Sequence, residues 1–107
     1  MTRGSLVTVA LQGDYGKPRL ALIIQSDLFS EHPSVTVLPV TSELREVPLF
    51  RISILPDTMN NLSQPSQIMV DKIQTVARNK VGDSFGQASD ETMLAVNRAL
   101  AVFLGFA

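Results

Sequence analysis

The sequence predicts a mostly-β domain with a C-terminal helix, an α+β arrangement whose short strands make a small, strongly bent sheet or barrel. Two observations predict it. About five runs of β-branched and apolar residues are separated by glycine, proline and asparagine, and one terminal segment repeats its apolar residues at helical spacing behind a capping serine. At 107 residues the chain is the size of one domain, spanning 1–107, and it shows no internal repeat.

Residues 5–12 alternate and read as the first strand, which the glycines and proline of Gln12-Gly13-Asp14-Tyr15-Gly16-Lys17-Pro18 then end. Arg19-Leu20-Ala21-Leu22-Ile23-Ile24-Gln25 is nearly all apolar, as a central strand buried on both faces requires. Ser26 to Pro33 has room for one helical turn. Residues 35–40 form a third strand whose Pro39 predicts an edge or a bulge, with Thr41 and Ser42 at its tip. Residues 49–54 alternate cleanly as a fourth strand. Pro56 to Pro65 is polar and reads as a connection, and residues 66–76 as the last long strand.

The helix signal is the clearest in the chain. Ser89 is an N-cap followed by Asp90 and Glu91, negative charge where the exposed amides of a first turn favour it. Met93, Val96, Leu100, Phe103 and Leu104 make an apolar stripe, and Gly105 suits the left-handed C-cap.

Composition narrows the function. Hydrophobic residues make up 45% and charged residues 18% of the chain, enough apolar content to fold. There is no cysteine, which removes disulfides, thiolate metal sites and cysteine nucleophiles and favours a cytoplasmic address. No run approaches the roughly 18 to 20 apolar residues that span a bilayer, so no membrane is expected. The lone His32, in a Glu-His-Pro loop, falls short of a metal site on ligand count. A formal net charge of −1 gives no global attraction for nucleic acid, so a nucleic-acid site would have to be a local patch.

Arg19 is the conspicuous residue. A guanidinium at the mouth of an apolar strand sits at the rim or is paired, because a buried unpaired charge is costly. Two readings follow: a rim salt bridge, or a phosphate held bidentately by Arg19 with Lys17 as a point charge beside it. Thr41 and Ser42 are equally double-edged, since hydroxyls also favour turns for local reasons.

Four segments, taken in order, resemble the MazF/PemK toxin family: Arg3-Gly4; Gly16-Lys17-Pro18-Arg19 running into Leu22-Ile23-Ile24-Gln25-Ser26-Asp27; Val37-Leu38-Pro39-Val40-Thr41-Ser42; and Val70-Asp71-Lys72-Ile73-Gln74-Thr75-Val76. The resemblance spans nearly the whole chain. It implies an SH3-like β-barrel that dimerises and cuts single-stranded RNA, usually messenger RNA, without metal or cofactor, leaving a 2′,3′-cyclic phosphate. It further implies a cognate antitoxin whose acidic or amphipathic tail covers the Arg19 groove. The family's catalytic arginine and its threonine or serine carry over to Arg19 and Thr41, with Ser42 adjacent. Asp71 is a candidate for orientation or proton removal, or else a paired structural carboxylate. Tyr15, Lys17, Gln67, Lys72 and the loop from Glu43 to Pro48 are candidate RNA contacts.

The chain departs from the family at three places. Leu20 stands where proline usually follows the arginine, Met69 where some members carry a basic residue, and Tyr15 is the ring nearest a first-loop histidine. Neither Arg19 nor Thr41 is an effective base at neutral pH, so the general base is unassigned. Two rival readings on related architecture are a CcdB-like gyrase inhibitor, which the absence of tryptophan opposes, and a degenerate member that binds only its antitoxin.

Overall fold

A computed structural model describes residues 1–10 and 17–107. Its first three strands, β1 (Ser5–Ala10), β2 (Pro18–Ile23) and β3 (Ser34–Thr41), pair antiparallel in sequence order. Then come β4 (Arg51–Ile54), β5 (Ser66–Met69), β6 (Gln74–Ala77), β7 (Val81–Gln87) and the helix α1 (Asp90–Leu104). The described strands share one sheet in the order β4-β5-β3-β2-β1-β7, with β6 also on β3. The sheet ends at β4 and β7 and is open.

Strand alternation explains how so small a sheet makes two cores. Leu6, Leu22, Leu38, Val40 and Ile68 gather with Val96 of α1 in one cluster. The intervening residues Val7, Val9, Ala21, Ile23, Val35 and Val37 form another. Strands β1 to β3 are thus buried on both faces, as the unbroken apolar run of β2 requires.

Four expectations need correction. The last long strand is broken by a 3₁₀ turn at Val70–Lys72 into β5, on Val40 and Thr41 of β3, and β6, on Ser34 to Val37. Pro39 is at neither an edge nor a bulge: it is buried inside the sheet in unshifted register with Ala21 of β2, and on its other side it falls in the gap between those two partners, where a missing amide disrupts no continuous ladder. The fourth strand begins at Arg51, because residues 48–50 form a turn in which the Phe50 and Arg51 amides both donate to the Val47 carbonyl. Strand β7 went unpredicted: Val-Gly-Asp-Ser-Phe-Gly-Gln has neither clean alternation nor a β-branched run, and it pairs with β1 through two register shifts.

Helix α1 follows its sequence signals. Ser89 Oγ accepts the Thr92 N–H at 3.1 Å, and Gly105 takes φ +85° as its cap. The stripe packs for only part of its length. Val96 is fully buried, with Met93 and Leu100 against the same cluster, whereas Phe103 and Leu104 remain half exposed. No helix among the described residues is long and apolar enough to cross a membrane.

Candidate active site

The β2–β3 register brings the two principal candidates together. Leu20 pairs with Val40, so one step outward Arg19 falls opposite Thr41, where cross-strand neighbours share a face with Cβ atoms about 5 Å apart. Arg19 also pairs with Val9 of β1, which fixes its strand from the other side.

Around this pair lies a cleft of about 200 Å³ lined by Arg19, Leu20, Thr41, Ser42, Ser63, Gln64 and their neighbours. Sequence reasoning missed Ser63, Gln64 and Ser66, which lie in or just after the 56–65 connection and carry no motif. What aims that connection is Asn60, 1% exposed, whose Oδ1 accepts the Asp57 and Leu62 amides and whose Nδ2 donates to the Leu55 carbonyl. Asn61 Nδ2 donates to the Phe85 carbonyl of β7. The approach is so close that a Cβ on Gly86 would lie 2.1 Å from the Asn60 carbonyl oxygen. An asparagine followed by proline-bounded polar residues was the available sequence signal.

Thr41 is set up as a donor. Its Oγ1 accepts the Glu43 N–H at 3.0 Å, a local turn bond that occupies a lone pair and leaves the hydroxyl proton to give. Among the described lining residues Arg19 is the charged one; the others are hydroxyls, an amide and apolar groups. The cleft can therefore hold an anion and donate to it. It has no carboxylate or imidazole among its described lining to take a proton.

The remaining candidates are distributed differently. Lys17 is exposed just before β2 and does not line the cleft. Gln67 is 8% exposed and engaged through both ends of its amide: its Oε1 accepts from Arg45 N–H and Arg51 Nη1, and its Nε2 donates to the Arg45 carbonyl. It pins the β3–β4 loop. Asp71 and Lys72 are on the 3₁₀ turn after β5, outside the cleft lining. Asp71 Oδ1 is buried without a hydrogen-bond partner, and Oδ2 is 3.9 Å from Lys72 Nζ. Tyr15 lies outside the described residues. Among the described residues no three His, Cys, Asp or Glu side chains converge in a metal-binding arrangement.

With known proteins the likeness is extensive. Residues 2–104 match the family described as PemK-like, MazF-like toxin of type II toxin-antitoxin system. A probable endoribonuclease MazF of Mycolicibacterium smegmatis is 44% identical over 108 residues, covering 100% of this chain and 99% of that protein. Among solved structures, an endoribonuclease in complex with its cognate antitoxin from a mycobacterial species superposes with TM-score 0.83 at 23% identity, covering 100% of this chain and 97% of that one. Mycobacterium tuberculosis toxin MazF-mt6 superposes with TM-score 0.80 at 24% identity, covering 94% and 96%. At those identities the superpositions establish the fold.

Proposed function

The chain belongs to the PemK-like, MazF-like toxin family of type II toxin-antitoxin systems, and from that premise we propose that it is an endoribonuclease that cuts single-stranded RNA in the Arg19–Thr41 cleft. The observation that carries this reading is the juxtaposition of Arg19 and Thr41 across β2 and β3 at the mouth of a cleft.

In the proposed reaction the ribose 2′-oxygen attacks the adjacent phosphorus as the bond to the 5′-oxygen breaks. The products are a 2′,3′-cyclic phosphate and a 5′-hydroxyl. Arg19 meets the oxygens on which negative charge grows, with planar N–H donors that keep their charge at neutral pH. Thr41 donates a hydrogen bond to the same phosphate. The charge that a metal ion would otherwise supply comes from the guanidinium, and the lining's donor set of hydroxyls and an amide fits that division of labour. With no carboxylate or imidazole in the described lining, the 2′-proton passes to solvent and the 5′-oxygen is protonated from solvent. Single-stranded substrate fits because a bent backbone and splayed bases can enter a shallow cleft that a duplex cannot.

The working unit is a single toxin domain in a homodimer, a reading supported by the uncovered apolar residues Val102, Phe103, Leu104 and Phe106 at the end of α1. A cognate antitoxin is its regulator, and an acidic segment laid over Arg19 would silence the cleft. The test is to incubate the protein with single-stranded RNA in EDTA and analyse the ends. Cutting that persists and leaves 2′,3′-cyclic phosphate is expected; cutting that EDTA abolishes, or that leaves a 3′-hydroxyl, overturns the mechanism.

A further inference from the structure

Consecutive residues of β5 line different clefts. Ser66 lines the one holding Arg19 and Thr41, while Gln67 lines a second, of about 310 Å³, with Arg45, Glu46, Pro48, Arg51 and Ser53. The β4–β5 register, Arg51 opposite Met69 and Ser53 opposite Gln67, puts these four side chains on one face, with Ile52 and Ile54 turned to the core.

Arg51 is the unusual member. The residue is half buried, and Nη1 donates to the Glu43 carbonyl at 2.8 Å and to Gln67 Oε1 at 3.0 Å. Nη2 rests 3.5 Å from the Met69 sulfur, a weak acceptor. Arg45 has a carboxylate partner, Glu43, at 3.0 Å, but Arg51 forms no ion pair among the described residues. Glu46 lines the same cleft without pairing to it. An arginine has five N–H donors in a fixed fork, so Nε and the second Nη2 proton are left for a ligand. A partly desolvated guanidinium, held in place and lacking a counter-charge, favours a phosphate, which it can meet with two parallel bonds.

The two clefts are also connected. Thr41 Oγ1 accepts the Glu43 N–H, and the Glu43 carbonyl accepts Arg51 Nη1, so two hydrogen bonds link the cleavage threonine to this arginine. We propose that the Arg51 cleft is a second phosphate subsite, which grips the RNA backbone at a nucleotide flanking the bond cut at Arg19 and Thr41. The proposal rests on the RNA-cleaving reading above and adds to it a residue that binds substrate away from the reacting atoms. Arg51 sets affinity, and Gln67 and Glu43 hold it in place.

The experiment measures the salt dependence of binding to a single-stranded RNA blocked by 2′-deoxy substitution at the cleaved nucleotide, using wild type, Arg51→Gln and Arg51→Lys. Losing one phosphate contact on a single strand lowers the slope of log affinity against log salt by about 0.7. Arg51→Gln is expected to show that drop and about tenfold weaker binding at low salt, with the loss in cleavage falling on KM more than on kcat. Arg51→Lys restores the slope, because a point charge suffices for counter-ion release, although it lacks the fork that holds Glu43 and Gln67. A wild-type slope in Arg51→Gln overturns the subsite, as does a loss that lysine fails to restore, which marks Arg51 as a structural staple. Weakening confined to an acidic peptide, with RNA binding intact, overturns it in favour of a protein contact. If the wild type fails to cut RNA at all, the RNA-cleaving reading falls and takes the subsite with it. If the wild type cuts and Arg51→Gln binds as it does, the subsite alone falls.

Discussion

The two ends of the β2–β3 hairpin use arginine for different work. At the end where β2 runs out, Arg3 Nε donates to the Ile24 carbonyl at 2.8 Å and Nη2 to Asn97 Oδ1 at 2.7 Å, tying the N-terminus to the hairpin and to α1. Arg78 there donates through Nε to the His32 carbonyl at 2.7 Å and through Nη2 to the Phe29 carbonyl. Those guanidiniums close gaps between chain segments. At the opposite end Arg19 stands exposed at a cleft of hydroxyls, opposite Thr41. Arg3 and Arg78 join chain segments that would otherwise part, whereas a cation at the mouth of a polar cleft, beside a hydroxyl donor, is suited to an anionic ligand.

The comparison breaks if the two ends respond alike to truncation. The largest effect is expected from Arg19→Ala, which should lower kcat/KM on single-stranded RNA by at least about 100-fold, the scale of losing a charge-stabilising donor, with the circular dichroism spectrum unchanged. Arg3→Ala should do the reverse. It removes two charge-assisted bonds from a half-buried side chain and is expected to lower unfolding free energy by about 2 kcal/mol in urea titrations, with kcat/KM within twofold while the protein stays folded. Arg78→Ala should lose about 1 kcal/mol by the same titration, since one of its two bonds is long, at 3.4 Å. The pH profile is expected to be featureless: with no titrating side chain in the described lining beside Arg19, log kcat/KM should show no inflection between about pH 5 and 8. An inflection in that window would reveal a general base.

How much of this the sequence disclosed depends on whether the relevant signal was local. The α1 boundaries rest on Ser89 and Gly105, each acting within one turn of itself, and both behave as their residue types require. β2 rests on an apolar run that has no other stable use than a two-sided burial. Arg19 and Thr41 stand out through the resemblance rather than through periodicity, and their facing positions could not be read at all, since register across β2 and β3 is a tertiary property. Ser63, Gln64 and Ser66 were illegible because they reach the cleft through Asn60 and its anchorage on β7, a strand held by its neighbours with little propensity of its own. Gln67 is a candidate RNA contact in the sequence, and its near-complete burial and its bonds to Arg45 and Arg51, which hold a loop, are tertiary facts that no local pattern carries. The exposed end of the α1 stripe shows a further limit: periodicity reports that a face is apolar, and leaves open whether this chain or another covers it.

The central claim is that Arg19 and Thr41 act on one phosphate. A double-mutant cycle on kcat/KM tests it most directly, comparing Arg19→Ala, Thr41→Val and the double variant on the same single-stranded RNA in EDTA. Groups that act as a unit lose little more together than the worse of them loses alone. The double variant is expected to fall within about threefold of Arg19→Ala, while losses that multiply in full would show the two residues acting independently.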